Sequence, residues 1–336
     1  MSHAELLPGR DARRATAAYI ASVQLASGEI PWERGGHTDV WDHVEAAMGL
    51  LVMGLHEPAT RAFLWLKETQ REDGSWPLRT RGAVVEDAGT DVNHSAYVAV
   101  GVHHHWLTRG DREVVERLWP TVVAALDLAV RHQLPWGGFA WAADGAGRPA
   151  DEALVTGTSS IHHALRAGAA LAQVVGEDAT RWSGAADAAR DALRHREDRF
   201  AAKRRYSMDW YYPVLAGALT REHGQARLAA RWADFVVPGL GIRCVDDHPW
   251  VTGAETCELA LALTTLGRRE EAARLVADMQ HLRDPDGSYN TGHVFTDDVR
   301  WPVEASTWTA GVVLLACDAI KRPDGPTARL FGGPED

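Results

Sequence analysis

The sequence predicts an all-α fold: an (α/α)6 toroid of six helical hairpins, with an inner and an outer ring. Three observations carry this. Period-2 strand alternation is nearly absent, while about twelve segments repeat their apolar residues at helical spacing. Those segments alternate between amphipathic stretches and stretches that are apolar almost all round. The 336 residues also run on without an obvious linker, as one closed double ring requires. Residues 1–336 are therefore expected to be a single toroid domain, ending in a short flexible tail after about residue 322.

In chain order the first helix is expected over residues 11–24 and the second over 39–55. The third, 58–70, begins at Pro58, where a missing N–H costs nothing. The fourth covers 91–107. The fifth covers 111–133 and contains Pro120, which should kink or divide it. The next four are 159–175, 180–196, 208–220 and 225–235, and the last three 254–266, 268–282 and 304–320. Outer segments such as 61–70 and 270–280 show one apolar stripe and one wet face. Inner segments such as 46–55 and 309–317 lack a polar face and must be buried.

The inner helices open on polar, aromatic and acidic residues. The openings are Asp39-Val-Trp-Asp-His-Val-Glu45, Asp91-Val-Asn-His94, Thr156-Gly-Thr-Ser-Ser160, Ser207-Met-Asp-Trp-Tyr-Tyr212, Thr252-Gly-Ala-Glu-Thr-Cys-Glu258 and Glu304-Ala-Ser-Thr-Trp308. In a closed ring of hairpins all inner helices run the same way, so these starts converge on one mouth. Their N-termini also aim partial positive charge at it. Capping accounts for the Ser, Thr and Asp residues, but not for aromatics beside carboxylates, and a functional pocket is expected.

Its candidate catalytic carboxylates are Asp42, Asp91, Asp209, Glu255 and Glu304. Like charges brought together raise one pKa and supply an acid near neutral pH. Candidate substrate contacts are Trp32, Trp41, His43, Trp76, Asn93, Trp210, Tyr211, Trp250, Trp301 and Trp308. Trp65, Trp119, Trp182 and Trp232 fall within outer helices and should pack between helices.

Composition narrows the partners. A formal charge of −11 disfavours duplex nucleic acid and anionic membranes, leaving a small-molecule substrate. No apolar run approaches the ~20 residues of a membrane span, and Met1-Ser2-His3-Ala4-Glu5 starts no secretory signal. Three cysteines fit a reducing cytoplasm. His103-His-His105 and His162-His163 point in different directions from a helix and read as packing histidines. Cys244-Val-Asp-Asp-His248 has zinc-ligand types at no standard spacing, so an exposed polar loop is expected there. No cofactor is expected, although a divalent metal stays open. The chain carries neither a Walker loop nor a dinucleotide-binding glycine fingerprint.

A short pattern recurs after the outer helices. Gln70-Arg-Glu-Asp-Gly-Ser-Trp76 reads Q-x3-G-x-W, and Gln24 to Trp32, Gln280 to Tyr289 and Gln133 to Trp141 are looser copies. Glycine suits the tight turn, and the amide can tie the helix end. This repeat resembles the QW motif of the terpenoid-cyclase and protein-prenyltransferase superfamily. The chain is also similar, over nearly its whole length, to soluble bacterial proteins labelled prenyltransferase. The resemblance implies a toroid with a central cavity, and acid/base or carbocation-type transferase or cyclase chemistry on an isoprenoid-like substrate. The Asp-x-Asp-Asp motif of the cyclases is missing, its nearest string being Thr296-Asp-Asp298.

A weaker similarity runs to six-hairpin glycosidases, which also set carboxylates at inner-helix starts and line the mouth with Trp. It implies a glycoside hydrolase or epimerase, using one carboxylic acid and one carboxylate, with Trp32, Trp76, Trp250 and Trp301 as sugar platforms. A catalytically silent ligand-binding toroid is the third reading. The cyclase- or prenyltransferase-like enzyme leads.

Overall fold

In a computed structural model, which describes residues 5–332, the chain is the all-α toroid expected. The outer helices are α1 (Arg10–Val23), α3 (His56–Thr69), α5 (Arg112–Arg131), α7 (Thr180–His195), α9 (Arg221–Phe235) and α11 (Arg269–Asp278). The inner helices are α2 (Val40–Val52), α4 (Val92–Arg109), α6 (Val155–Val175), α8 (Ser207–Leu215), α10 (Gly253–Thr265) and α12 (Thr307–Lys321). The inner ring closes. Each inner helix packs on the next, and α12 packs back on α2. Inner helices are buried nearly all round, as their missing polar faces require.

The recurring glutamines tie consecutive hairpins together. The Gln70 amide donates to Gly74 O at 3.0 Å and to Thr121 O of α5 at 3.0 Å. Gln24 does the same with Gly28 O and Pro58 O of α3, and Gln133 with Gly137 O and Ala185 O of α7. Gly74 has φ +92°, and a Cβ there would lie 2.2 Å from Ala124 O. Each loop thus seats its glycine against the next outer helix. In the fourth copy the Gln280 amide turns back to Val276 O, and Tyr289 donates to its Oε1. Trp76 completes its own loop, giving its N–H to Leu66 O.

Several features depart from the sequence expectations, among them the end of α8 at Leu215 and the start of α9 at Arg221. Pro120 sits inside an undivided α5. The expected tail contains α13 (Pro326–Phe331), whose Thr327, Leu330 and Phe331 are buried against α4, α10 and α12; the part beyond residue 332, like residues 1–4 at the other end, lies outside the described residues. Helix α6 starts four residues early, bringing Thr156 and Gly157 into its first turn. Nine short strands also rim the structure among the described residues. They are β1 (Arg79–Arg81) with β2 (Val84–Asp87), β3 (Thr90–Asp91) with β4 (Ala142–Ala143), and a five-stranded antiparallel sheet. That sheet runs β5 (Val236–Val237), β6 (Gly241–Arg243), β7 (Trp250–Thr252), β8 (Gly292–Val294) and β9 (Val299–Arg300). Strands of two to four residues leave no period-2 signal to read.

The paired histidines are structural. His104 bonds Thr327 of α13, His163 bonds Leu330 O, and His162 bonds Ala186 O. Burial holds all three down to about 3, so they stay neutral. No helix of the described residues is long and apolar enough to cross a membrane.

Candidate active site

All six inner-helix starts meet at one cavity of about 410 Å³. Asp39, Trp41 and Asp42 come from α2 and its cap, Asp91, Asn93 and His94 from α4, and Thr156 and Gly157 from α6. Met208 and Asp209 come from α8, Glu255 from α10 and Trp308 from α12. Loops add Trp141, Lys203, Tyr206 and Cys244.

The carboxylates differ in what occupies their oxygens. Asp39 caps α2 by accepting the Asp42 backbone N–H at 3.0 Å, and His94 stands 3.6 Å away. Burial opposes the Asp39 anion, but hydrogen bonding from Asp42 and the nearby His94 outweigh it and hold the carboxyl below its usual range. Asp42 goes the other way. Burial first, then the Asp39 charge and the hydrogen bond to Asp39, push it well above the usual carboxylate range. The proton of this pair therefore sits on Asp42.

Asp91 spends Oδ1 on the backbone N–H groups of Asn93 and His94, at 2.8 and 3.2 Å. Asp209 spends Oδ1 on the Thr156 N–H and hydroxyl, at 3.2 and 2.6 Å. Burial raises both above the usual range. Glu255 lies buried in the first turn of α10. Its side-chain hydrogen bond is to the Cys244 thiol, which burial first and the Glu255 charge next push up, so the thiol stays protonated and donates.

One turn below these groups lie two more acids. Glu45 accepts from Tyr97 Oη at 2.6 Å and from Trp308 Nε1 at 2.8 Å, and burial raises it to about 7. Glu258 accepts from Tyr211 Oη, and burial together with Glu45 pushes it well up. Trp41 stacks on Tyr97 with ring centroids 4.1 Å apart, which fixes the indole in the cavity wall.

Of the residues singled out in the sequence, Asp42, Asp91, Asp209, Glu255, Trp41, Asn93 and Trp308 line this cavity. The others go elsewhere. Glu304 accepts from Thr291 Oγ1 outside the cavity lining. His43 is buried between Ile30 N and Ala62 O and packs on Trp65. Trp210 stacks on Phe235 and gives its N–H to Arg227 O, among the outer-ring aromatics. Tyr211 serves Glu258, and Trp32 stands behind Trp308 with centroids 6.0 Å apart. Trp76 belongs to its hairpin loop. Trp250 and Trp301 pair edge-on in the rim sheet, where Trp250 Nε1 donates to Trp301 O. Trp119 and Trp182 meet edge-on between outer helices, and Trp65 and Trp232 also pack from the outer ring. The Cys244–His248 loop splits up: Asp246 pairs with Arg231, Asp247 with Arg205 and His248, while Cys244 faces the cavity.

Asp39, His94, Trp141, Lys203, Tyr206 and Cys244 line the cavity without having been singled out for it. Asp39 and His94 stood within the acidic helix openings. Trp141 ended a degenerate repeat, and the loop residues gave no periodic signal.

No family model matches the chain. The chain is 53% identical over 320 residues to a protein of Mycolicibacterium hassiacum named as an MMP endo-(1,4)-3-O-methyl-α-D-mannosidase, an alignment covering 95% of this chain and 89% of that one. Among solved structures, a glycosidase in complex with glucose superposes with a TM-score of 0.74 at 17% identity, covering 93% of this chain and 96% of that chain. The GH63 mannosylglycerate hydrolase of Thermus thermophilus, solved with Tris and D-glycerate, gives a TM-score of 0.69 at 17% identity, covering 90% and 99%. These structures share the fold. The mannosidase overturns the expected terpenoid-cyclase or prenyltransferase membership and the transferase or cyclase chemistry drawn from it. The repeat behind that expectation is a staple between hairpins, which serves a toroid whatever reaction it hosts. At this identity and coverage, the chain belongs to the enzyme family of the M. hassiacum endo-mannosidase.

Proposed function

We propose that the chain is a glycoside hydrolase cleaving α-(1,4) links between 3-O-methylated mannose units within a chain. The observation that carries the reading is the Asp39–Asp42 pair set in one cavity with Glu255. Glycoside cleavage needs a carboxylic acid to protonate the leaving oxygen and a second carboxylate as base or nucleophile. Asp42 holds its proton because it is buried and because Asp39 carries the negative charge beside it. Glu255 is the second carboxylate, since Asp91 and Asp209 each spend Oδ1 on capping or on holding Thr156 and keep only Oδ2 for a sugar hydroxyl. Asp91, Asp209 and Asn93 then orient sugar hydroxyls, and Trp41 and Trp308 offer faces to the ring. Substrate specificity is carried over from the 53%-identical mannosidase. The test is to incubate the protein with an α-(1,4)-linked oligosaccharide of 3-O-methylmannose and size the products. Internal cleavage with release of reducing ends supports the reading. An intact oligosaccharide under conditions where the protein stays folded refutes it.

A further inference from the structure

Trp141 stands between two cavities. That indole lines the catalytic cavity, and it also lines an open cleft of about 560 Å³ between the base of the β1–β2 hairpin and the 142–150 loop. Its backbone is pinned on both sides, its N–H to Glu152 O and its carbonyl to Val92 N. The indole is half-buried. The second cavity is walled by Leu78, Ala142, Ala143, Pro149 and Ala150. Its charged groups are already engaged: Asp144 pairs with Arg148, and Asp87 accepts from Gly89 N.

We propose that Trp141 and this apolar cleft form further sugar subsites, which take the units of a methylated α-(1,4)-mannoside chain next to the bond being cleaved. The proposal rests on the hydrolase reading above and deepens it. A chain cut internally must extend beyond the catalytic cavity, and this cleft lies on the other side of the Trp141 side chain that lines that cavity. A methylated sugar presents both C–H faces and O-methyl groups, which match an indole face and Ala, Leu and Pro side chains better than hydroxyl-rich surface would. The cleft therefore selects for methylated over unmethylated chains.

The experiment compares Trp141→Ala and Trp141→Phe with the parent on two methylated α-(1,4)-mannosides, one of two units and one of six or more. Turnover is measured in the active protein, and binding by calorimetry in the Glu255→Gln background. Trp141→Ala is expected to lose about tenfold or more in kcat/KM and in affinity on the long chain, and at least about fivefold less than that on the short one. Trp141→Phe should recover part of the loss. An unmethylated long chain should show a smaller effect. Equal losses on long and short chains, at unchanged melting temperature, overturn the proposal while leaving the hydrolase reading intact. Length-dependent binding through Trp141 without any cleavage sustains the subsites and sinks the hydrolase reading. Neither binding nor cleavage of the long chain overturns both.

Discussion

Asp39 accepts the backbone N–H of Asp42 at 3.0 Å, and the two carboxyl groups are hydrogen-bonded to each other. The two acids lie three residues apart, one as helix cap and one in the first turn, so the helix end favours the Asp39 anion and leaves Asp42 to carry the proton. Replacing Asp39 with Asn removes a like charge from beside Asp42. The Asp42 carboxyl should then titrate lower, and the alkaline limb of the pH–rate profile should move to lower pH. A limb that stays in place after Asp39→Asn would separate Asp42 from the acid role.

Glu45 gives a stability test with a defined sign. Its carboxyl is raised from 4.5 to about 7 in the folded chain, so the fold binds this proton more tightly than the unfolded chain does. The resulting stabilisation is fully present below pH 4.5 and is lost as pH rises through about 7, amounting to ~3 kcal/mol at most. Glu45→Gln should remove this component. The parent should lose melting temperature relative to the variant between pH 5 and pH 8, and a constant difference across that range would contradict the assignment.

The buried histidines act in the opposite direction. His104, His162 and His163 are held at about 3, well below 6.5, so only the unfolded chain takes up their protons on acidification. Their contribution is present above pH 6.5 and is lost as pH falls toward 3, at up to about 1.4 kcal/mol per pH unit for each. His163→Gln should shallow the acid limb of a stability curve by about one proton. An unchanged limb would show that His163 already titrates normally.

The glutamine staples should govern stability rather than chemistry. Gln70→Ala leaves two carbonyls short of a donor and should cost ~1–3 kcal/mol with kcat unchanged. Trp182→Ala, between outer helices, should cost ~3–5 kcal/mol, whereas Trp308→Ala should chiefly raise KM. Trp210 belongs with Trp182 in this comparison. Thermal melts and Michaelis profiles together read the ranking.

The mouth of the toroid was legible because apolar inner helices must be buried and a closed ring turns all their starts one way. Which residue at each start faces inward was less so. Successive helical residues point about 100° apart, so Asp42 enters the cavity while His43 turns outward to Trp65. Asp209 and Trp210 divide in the same way. At spacing i, i+3 the face is kept, so Glu45 lies one turn beneath Asp42 and Glu258 one turn beneath Glu255. Side-chain direction could have sorted the candidates; composition at the helix starts could not. The repeated glutamines misdirected the reaction because a motif that closes a toroid says nothing of what the toroid holds.

The most direct test of the Asp42–Glu255 assignment is a leaving-group comparison. The rates of Asp42→Asn and Glu255→Gln would be measured on a methylated α-(1,4)-mannoside chain and on the same chain bearing a dinitrophenyl leaving group. On the natural linkage both should fall by about 10²-fold or more. On the activated substrate, which needs no proton at its leaving oxygen, Asp42→Asn should return to near the parent rate while Glu255→Gln stays slow. Near-parent rates for both amides on the natural linkage would contradict the account.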